Sequence, residues 1–309
     1  MTFGAFEPTE RHIFVVGEQA DANRPRGDAD TTTSLRSPEQ PMKHSIRHRA
    51  AVFLLPILGL SVFTARAQEE SIEVKCRKLL EQYKGALVVV TAKGMLKAKT
   101  SGEPLPDRDQ QRRTLGVTVG DDGLVVVSNS AIDASVGLAG QQAQMNEKVV
   151  TIQSASTEFT EVEISYGDTT LLHGKVVRQD VEADVAFIMP DSAEATALNK
   201  KFEKIDLSQF AATAETADQV FGLSRSSAVY GYMPTLVIGR ITGVFKGERT
   251  FFVTDAGTAQ GVPVFTIDGK PVGVTVIRII EGQPSGVLGT LSAGSIQVMA
   301  NLAREAAKN

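Results

Sequence analysis

Serine hydroxyls are the groups in this sequence that could act as nucleophiles, and four of them stand out. Ser128 and Ser130 lie in VVVSNSAID, and Ser224 and Ser226 lie in GLSRSS. A serine hydroxyl is a weak nucleophile near neutral pH and needs a neighbouring base to take its proton. No lysine lies at a spacing that places it beside these serines, so a Ser–Lys arrangement stays an open alternative rather than a prediction.

Histidine, the usual base for a serine nucleophile, is scarce in this chain. His12, His44 and His48 precede residue 68, and His173 is the one histidine of residues 68–309. His173 lies in TTLLHGKVV, where we expect a surface or edge-strand residue rather than a catalytic base. The sequence therefore contains nucleophiles without an evident base.

Metal, nucleotide and nucleic-acid chemistry have little support in the sequence. Metal sites need clustered histidine, cysteine or carboxylate ligands, and Asp121-Asp122-Gly123 is typical of a turn. The single cysteine, Cys76, lies at helical spacing within SIEVKCRKLLEQY and is predicted to pack in a core. No phosphate-binding glycine motif is found, and the net charge of −4 argues against nucleic-acid binding. We predict no metal and no cofactor.

Short β-strands must position these groups, because apolar runs alternate with turn signals along most of the chain. We predict a short N-terminal helix, a hairpin around Asp121-Asp122-Gly123 and a polar surface loop over Lys93–Arg113. A C-terminal helix is predicted in SIQVMANLAREAAKN, capped by Ser295. Its predicted apolar face is Ile296, Val298, Met299 and Leu302. The other predicted strands are Ala86–Ala92, Lys148–Gln153, Glu161–Tyr166, Gly174–Arg178, Val185–Met189, Gln219–Leu223, Thr235–Phe245, Thr250–Thr254, Val262–Ile267 and Val272–Ile280.

The first 67 residues have the pattern of an export signal. A basic segment from Met42 precedes the apolar run Ala50–Thr64, and Ala65-Arg66-Ala67 follows as a small-residue cleavage site. We interpret residues 42–67 as a signal peptide and residues 1–41 as a mis-called or disordered extension. The apolar run is shorter than the ~20 residues that span a bilayer, so no stable membrane span is expected after cleavage. Residues 68–309 then form one exported domain, periplasmic or extracellular in a bacterial envelope.

Three segments of this domain resemble the trypsin-like serine peptidases of the HtrA/Deg family. They are GLVVVSNSAID from Gly123, VVRQDVEADVAFIMP from Val176, and TDAGTAQGVPVFTIDGKPVGV from Thr254. The resemblance runs from about Ile72 to Leu302. It implies an all-β fold of two perpendicular six-stranded β-barrels, with a short N-terminal helix and a C-terminal helix. No segment after that helix resembles the PDZ domain that the family often carries.

The resemblance implies that the catalytic positions of the family have degenerated. The family's histidine falls on Ser130, its aspartate falls on Asp184, which is kept, and its serine falls on Gln260 or in a shortened loop. Gly257 and Gly261 lie in the former oxyanion-loop region. Ser130 cannot act as a base near pH 7, and Gln260 offers no nucleophilic oxygen. No catalytic triad is therefore intact.

We accordingly predict an exported serine protease homologue without proteolytic activity. Its expected role is that of a peptide- or protein-binding or regulatory module with a polypeptide partner, and its oligomeric state is not predicted. Two alternatives stay open: an active serine endopeptidase with a relocated catalytic site, and a structural β protein of the envelope. The second alternative follows because a fold does not by itself determine a function.

Overall fold

A computed structural model describes residues 70–101, 105–145 and 148–308 of the chain. These residues are mostly β, with four α-helices. The helices are α1 (Ile72–Tyr83), α2 (Asn129–Ile132), α3 (Ser192–Ala197) and α4 (Ala293–Ala307). The strands are β1 (Leu87–Thr100), β2 (Arg108–Thr118), β3 (Val125–Ser128), β4 (Gln142–Met145), β5 (Lys148–Ser165), β6 (Leu171–Asp180), β7 (Val185–Pro190), β8 (Gln219–Arg225), β9 (Pro234–Lys246), β10 (Thr250–Thr254), β11 (Pro263–Thr266), β12 (Pro271–Ile280) and β13 (Gln283–Ser292).

The first half of the domain is a seven-stranded antiparallel sheet in the order β1-β2-β3-β7-β6-β5-β4. β1 also pairs with β5, from Val89 opposite Ser165 to Thr100 opposite Ile152. The predicted hairpin at Asp121-Asp122-Gly123 joins β2 to β3, with Val117 opposite Val126. Gly123 has φ +78°, a conformation that glycine adopts without strain.

The second half of the domain is a closed antiparallel barrel of six strands in the order β10-β13-β12-β11-β8-β9. Its interior is lined by one apolar cluster, Val220, Ile241, Phe252, Ala256, Val264 and Val272. The prediction of a β protein with a six-stranded barrel is confirmed. A second, perpendicular barrel stays a prediction at this point.

Alternation along the strands of the first sheet sends side chains into two different cores. In β3, Val125 and Val127 pack in one cluster, while Val126 packs in another. The cluster with Val126 also contains Phe221 and Phe265 from the barrel strands. Because successive strand residues point to opposite faces, an apolar run such as Val125–Val127 is expected where both faces are covered.

Helices α1 and α4 complete the core that the two sheets share. Cys76 of α1 is 2% exposed and packs there, as its helical spacing predicted. The predicted details of α4 are partly wrong. Ser292, not Ser295, caps the helix, and its side chain accepts the N–H of Ser295 at 3.2 Å. Ile296 and Met299 are buried together with Ala300 and Ala303, while Val298 and Leu302 are exposed.

The polar segment Lys93–Arg113 was predicted to be a surface loop, and that prediction is wrong. β1 continues to Thr100, and β2 begins at Arg108. Cross-strand ion pairs join β1 and β5 here, since Lys93 contacts Glu161 at 2.8 Å and Lys97 contacts Glu158 at 2.5 Å, while Ala98 packs in a small apolar cluster. The same pairing makes β5 one continuous strand, where the sequence predicted two.

The predicted extension and signal peptide, residues 1–41 and 42–67, lie outside the described residues. The domain boundary at residue 68 therefore stays a prediction. Within the described ranges, no helix combines the length and the apolar character needed to cross a membrane.

Candidate functional site

Asp184 lies at the centre of a polar cluster where the first sheet meets the barrel. It ends the turn before β7 with φ +53°, and its side chain is fully buried. Its backbone N–H donates to the carbonyl of Val181 at 3.1 Å, and its carbonyl accepts the N–H of Asn129 at 3.0 Å. These two bonds hold the carboxylate against the start of α2.

Three donors from two parts of the chain converge on the Asp184 carboxylate. Oδ2 accepts the hydroxyl of Ser128 at 2.6 Å and the backbone N–H of Ile277 at 2.8 Å. Oδ1 accepts the backbone N–H of Ser130 at 2.6 Å. Ser128 and Ser130 come from the β3–α2 junction, while Ile277 belongs to β12 of the barrel. The carboxylate therefore joins the two halves of the domain.

Gln260 closes the cluster from the loop between β10 and β11. Its Nε2 lies 2.6 Å from the Ser128 Oγ and 2.9 Å from the Ser130 Oγ, and it donates to both hydroxyls. The structure thus brings together Ser130, Asp184 and Gln260, the three residues predicted from separate segments. We call Ser128, Ser130, Asp184 and Gln260 the polar cluster.

Gly261 positions Gln260 because its backbone has little room. It has φ +80°, and a Cβ atom there would lie 2.2 Å from the carbonyl oxygen of Leu115. Its N–H donates to the carbonyl of Thr275 at 2.8 Å, which anchors the loop to β12. Only glycine fits this close approach. The backbone conformation at Gly261 therefore fixes the position of the loop beside Gln260.

The two glycines of the predicted oxyanion region use their donors internally. The N–H of Gly257 donates to the Thr254 Oγ1 at 3.0 Å, and that of Gly261 donates to Thr275. An oxyanion hole requires backbone donors directed at the place where negative charge develops. Neither of these two N–H groups is available for that purpose in this arrangement.

Opposing effects act on the protonation of Asp184. Burial raises the pKa of its carboxyl group, and the hydrogen bonds from Ser128, Ser130 and Ile277 partly oppose that rise. The donors favour the charged form, while the apolar surroundings penalise it. Ser128 is fully buried as well, so its hydroxyl does not reach solvent.

The polar cluster contains no imidazole or amine, and its one basic group, the Asp184 carboxylate, already accepts three hydrogen bonds. Ser128 donates to Asp184 and accepts from Gln260, and Ser130 is bonded to Gln260. An amide nitrogen cannot accept a proton under these conditions, and among the described residues no imidazole or amine contacts either hydroxyl. The arrangement satisfies buried polar groups.

The other candidate residues lie elsewhere. His173 is exposed on β6, as predicted, with its Nδ1 2.7 Å from the Glu194 Oε1. The hydroxyl of Ser224 donates to the carbonyl of Arg225, and that of Ser226 contacts carbonyls of its own loop. Across residues 70–101, 105–145 and 148–308, no hydrogen bond joins a serine hydroxyl to a lysine amine or an imidazole.

Sequence reasoning missed two features near these residues. The backbone N–H of Ile277 had no signal in the residue types. The second feature is a group of three ligating side chains, Glu161, Glu163 and His173, whose ligand atoms all lie within 4.8 Å of one another. Its signal was present, because the YGD turn places His173 opposite Glu163 in the β5–β6 pairing.

No family model matches the chain, and no curated protein matches it at a significant level.

Proposed function

We propose that the chain is an exported homologue of trypsin-like serine proteases that has lost proteolytic activity and acts by binding polypeptides. The observation that carries this proposal is the polar cluster, in which the amide of Gln260 holds both serine hydroxyls beside Asp184. A protease would need an imidazole and a free nucleophile at this place.

Strand pairing supports the double-barrel fold that this proposal assumes. Six strands of the first sheet are paired in a ring, β1-β2-β3-β7-β6-β5, which β1 closes by pairing with β5. We propose that this ring is the first barrel of a trypsin-like pair and that the closed barrel of β8–β13 is the second. Asp184 and the serines then come from one barrel and Gln260 from the other.

An active peptidase with a relocated site receives no support from the described contacts. Its serine would need a base within about 3.2 Å. The exposed His173 is held by Glu194, and the amine of Lys200 is held by Asp168 at 2.5 Å. The inactive form is therefore the better-supported proposal.

An exposed apolar loop is the surface that we assign to polypeptide binding. The loop comprises residues 226–233 and contains no charged side chain, and Val229, Tyr230 and Met233 are 87%, 66% and 57% exposed. Arg113 holds this loop, since its Nη1 donates to the Tyr232 hydroxyl at 2.7 Å. Exposed apolar groups that lie together are typical of protein interaction sites.

A fluorophosphonate probe tests the loss of activity. We expect no stoichiometric labelling of any serine and no cleavage of casein, with trypsin as the positive control. Labelling that disappears in a single serine-to-alanine variant, together with casein cleavage, would show an active peptidase and contradict the proposal.

Binding to an unfolded chain tests the assigned role. Titration calorimetry with reduced, carboxymethylated α-lactalbumin should give saturable binding to the wild-type protein. The triple variant Val229→Ser, Tyr230→Ser, Met233→Ser should bind at least tenfold more weakly. Val149→Ser, at a residue on β5 that is 65% exposed, is the matched control and should bind as the wild type does. Equal binding by all three proteins would contradict the assignment of this loop.

A further inference from the structure

The outer face of the first sheet contains metal-ligating side chains that the proposed function does not use. Glu163 on β5 pairs directly with His173 on β6, and Glu161 lies two residues earlier on the same face. The Glu161 Oε1 is 4.0 Å from the His173 Nε2. We propose that Glu161, Glu163 and His173 bind one Zn²⁺ ion.

Glu194 orients the imidazole of His173 for this role. Its Oε1 is 2.7 Å from the Nδ1 of His173, and its Oε2 accepts the backbone N–H of the same residue at 2.8 Å. Glu194 lies in the first turn of α3, and its carboxylate contacts both the ring and the backbone N–H of His173. A carboxylate that accepts the Nδ1–H fixes the tautomer and leaves the Nε2 lone pair for a metal, which is the usual arrangement around ligating histidines.

Charge favours a divalent cation at this place. Three carboxylates, those of Glu161, Glu163 and Glu194, surround one ammonium and the imidazole of His173, which must be neutral when it binds a metal. The ammonium is that of Lys93 on β1, 2.8 Å from the Glu161 Oε2 and 3.9 Å from the Glu163 Oε1. Three carboxylates and one ammonium leave an excess of two negative charges. The ammonium of Lys93 already lies between Glu161 and Glu163, where a cation would bind.

The donor set selects zinc over the alkaline-earth ions. One imidazole nitrogen and two carboxylate oxygens suit Zn²⁺, which binds such atoms at about 2.0–2.2 Å. Mg²⁺ and Ca²⁺ prefer oxygen ligands throughout. The separations of up to 4.8 Å between ligand atoms require a small inward movement of exposed side chains, whose rotamers change readily. The remaining positions are open to solvent and would hold water.

Calorimetric titration of the full chain with zinc chloride, after treatment with a chelator, tests this site. We expect one equivalent with a micromolar dissociation constant that is absent in both His173→Ala and Glu163→Gln. His12, His44 and His48 remain in every variant, so their background binding cancels in the comparison. Far-ultraviolet circular dichroism confirms that each variant is folded.

Two further variants separate a built site from general attraction of cations. Lys93→Met should raise the zinc affinity, because it removes the competing ammonium. Glu194→Gln should lower it by about 10- to 100-fold, as loss of an outer hydrogen-bond partner usually does. Lys97→Met, in the neighbouring ion pair with Glu158, is the control and should leave the affinity unchanged.

Two results would overturn the proposal. One is a zinc titration of His173→Ala that matches the wild type, because the imidazole would then take no part. The other is magnesium binding of equal strength at the same residues, because the carboxylates alone would then account for the attraction. The proposal does not rest on the function proposed above, and neither test involves proteolysis or polypeptide binding.

Discussion

Two groups of polar residues are assembled from distant parts of the chain. One is the polar cluster, and the other, which we call the zinc cluster, consists of Glu161, Glu163 and His173 with Lys93 and Glu194. In the polar cluster, Asp184 and Ser128 are fully buried, and each has hydrogen-bond partners within the protein. In the zinc cluster, the side chain of His173 is 56% exposed and its Nε2 has no hydrogen-bond partner among the described residues. Residues that could act as catalysts or ligands occur in both clusters, but only the zinc cluster has a ligand atom exposed to solvent.

The difference lies in what burial demands. A buried carboxylate must be satisfied, since an unpaired buried polar group costs several kcal/mol. The three donors that satisfy Asp184 use most of the acceptor capacity of its carboxylate within the protein. An exposed carboxylate can exchange water for a metal at little cost. Gathered polar residues therefore indicate a functional site only when some of their donor or acceptor capacity stays unused.

The largest effect should follow from Asp184→Ala, which breaks the polar cluster. The buried hydroxyl of Ser128 and the partly buried N–H groups of Ser130 and Ile277 would lose their acceptor. Each unsatisfied donor costs about 1–3 kcal/mol, so we expect a loss of at least about 3 kcal/mol in the free energy of unfolding. Urea denaturation measures it.

Asp109→Ala, at an exposed carboxylate on β2, is the control for this measurement and should change the free energy of unfolding by less than about 0.5 kcal/mol. A loss of similar size in both variants would mean that Asp184 has no special structural role. The contrast between the buried and the exposed cluster would then fail.

Gln260→Ala should have the second-largest effect. It removes the donor shared by Ser128 and Ser130 but leaves the Asp184 bonds in place, so we expect a loss of about 1–2 kcal/mol. Gln209→Ala, at an exposed glutamine, should stay within about 0.5 kcal/mol of the wild type. The Gln260→Ala variant should also remain unlabelled by a fluorophosphonate. Labelling would mean that Gln260 blocks an active serine rather than standing in a cluster without a base.

Much of the fold was predictable because local patterns and tertiary packing agree. The hairpin at Asp121-Asp122-Gly123, the buried strands β3 and β7 and the core position of Cys76 all follow from apolar alternation or helical spacing. The prediction failed for Lys93–Arg113, because cross-strand ion pairs and a small cluster of short apolar residues such as Ala98, rather than a long apolar run, stabilise the strands there. Such pairs depend on which strands are neighbours, and a single sequence does not contain that information directly.

The candidate sites divide in the same way. The proximity of Ser130, Asp184 and Gln260 was predicted only through the family resemblance. The β3–β7 pairing and the loop at Gly261 bring together residues more than fifty positions apart in the sequence, which residue spacing does not reveal. The backbone N–H of Ile277 leaves no trace in residue types. The zinc cluster was the easier case, since a five-residue turn region and an E-x-E alternation place three ligands on one face. It was missed because His173 was compared only with the distant Cys76 as a metal ligand, and the carboxylates of β5 were not considered.

A smaller effect is expected from Lys93→Met in the zinc cluster. The change removes the ammonium that contacts Glu161 and leaves two carboxylates facing each other, both partly exposed. Exposed ion pairs contribute little to stability, so in the absence of metal we expect only a small loss in the free energy of unfolding, well below that of Asp184→Ala. Thermal denaturation in chelator and in zinc chloride should show opposite effects of the change. A loss above about 3 kcal/mol would mean that this cluster is as structural as the buried one.

The smallest effect is the titration of His173, which should set the exposed cluster apart most sharply. The hydrogen bond that the His173 ring donates to Glu194, followed by the charges of Glu194, Glu161 and Glu163, raises the pKa of His173 above its ordinary value of 6.5. The charged imidazole is favoured in the folded protein, so its contribution to stability is complete below pH 6.5 and is lost as the pH rises through the raised pKa. Asp184 also has a raised pKa, but there burial disfavours the charge. Proton NMR of the metal-free protein, assigned by difference from His173→Ala, should give a pKa that moves back toward 6.5 in Glu194→Gln and stays unchanged in Asp168→Asn. An unchanged His173 pKa in Glu194→Gln would mean that the carboxylate does not orient the imidazole, and the exposed cluster would lose the feature that distinguishes it from ordinary surface charge.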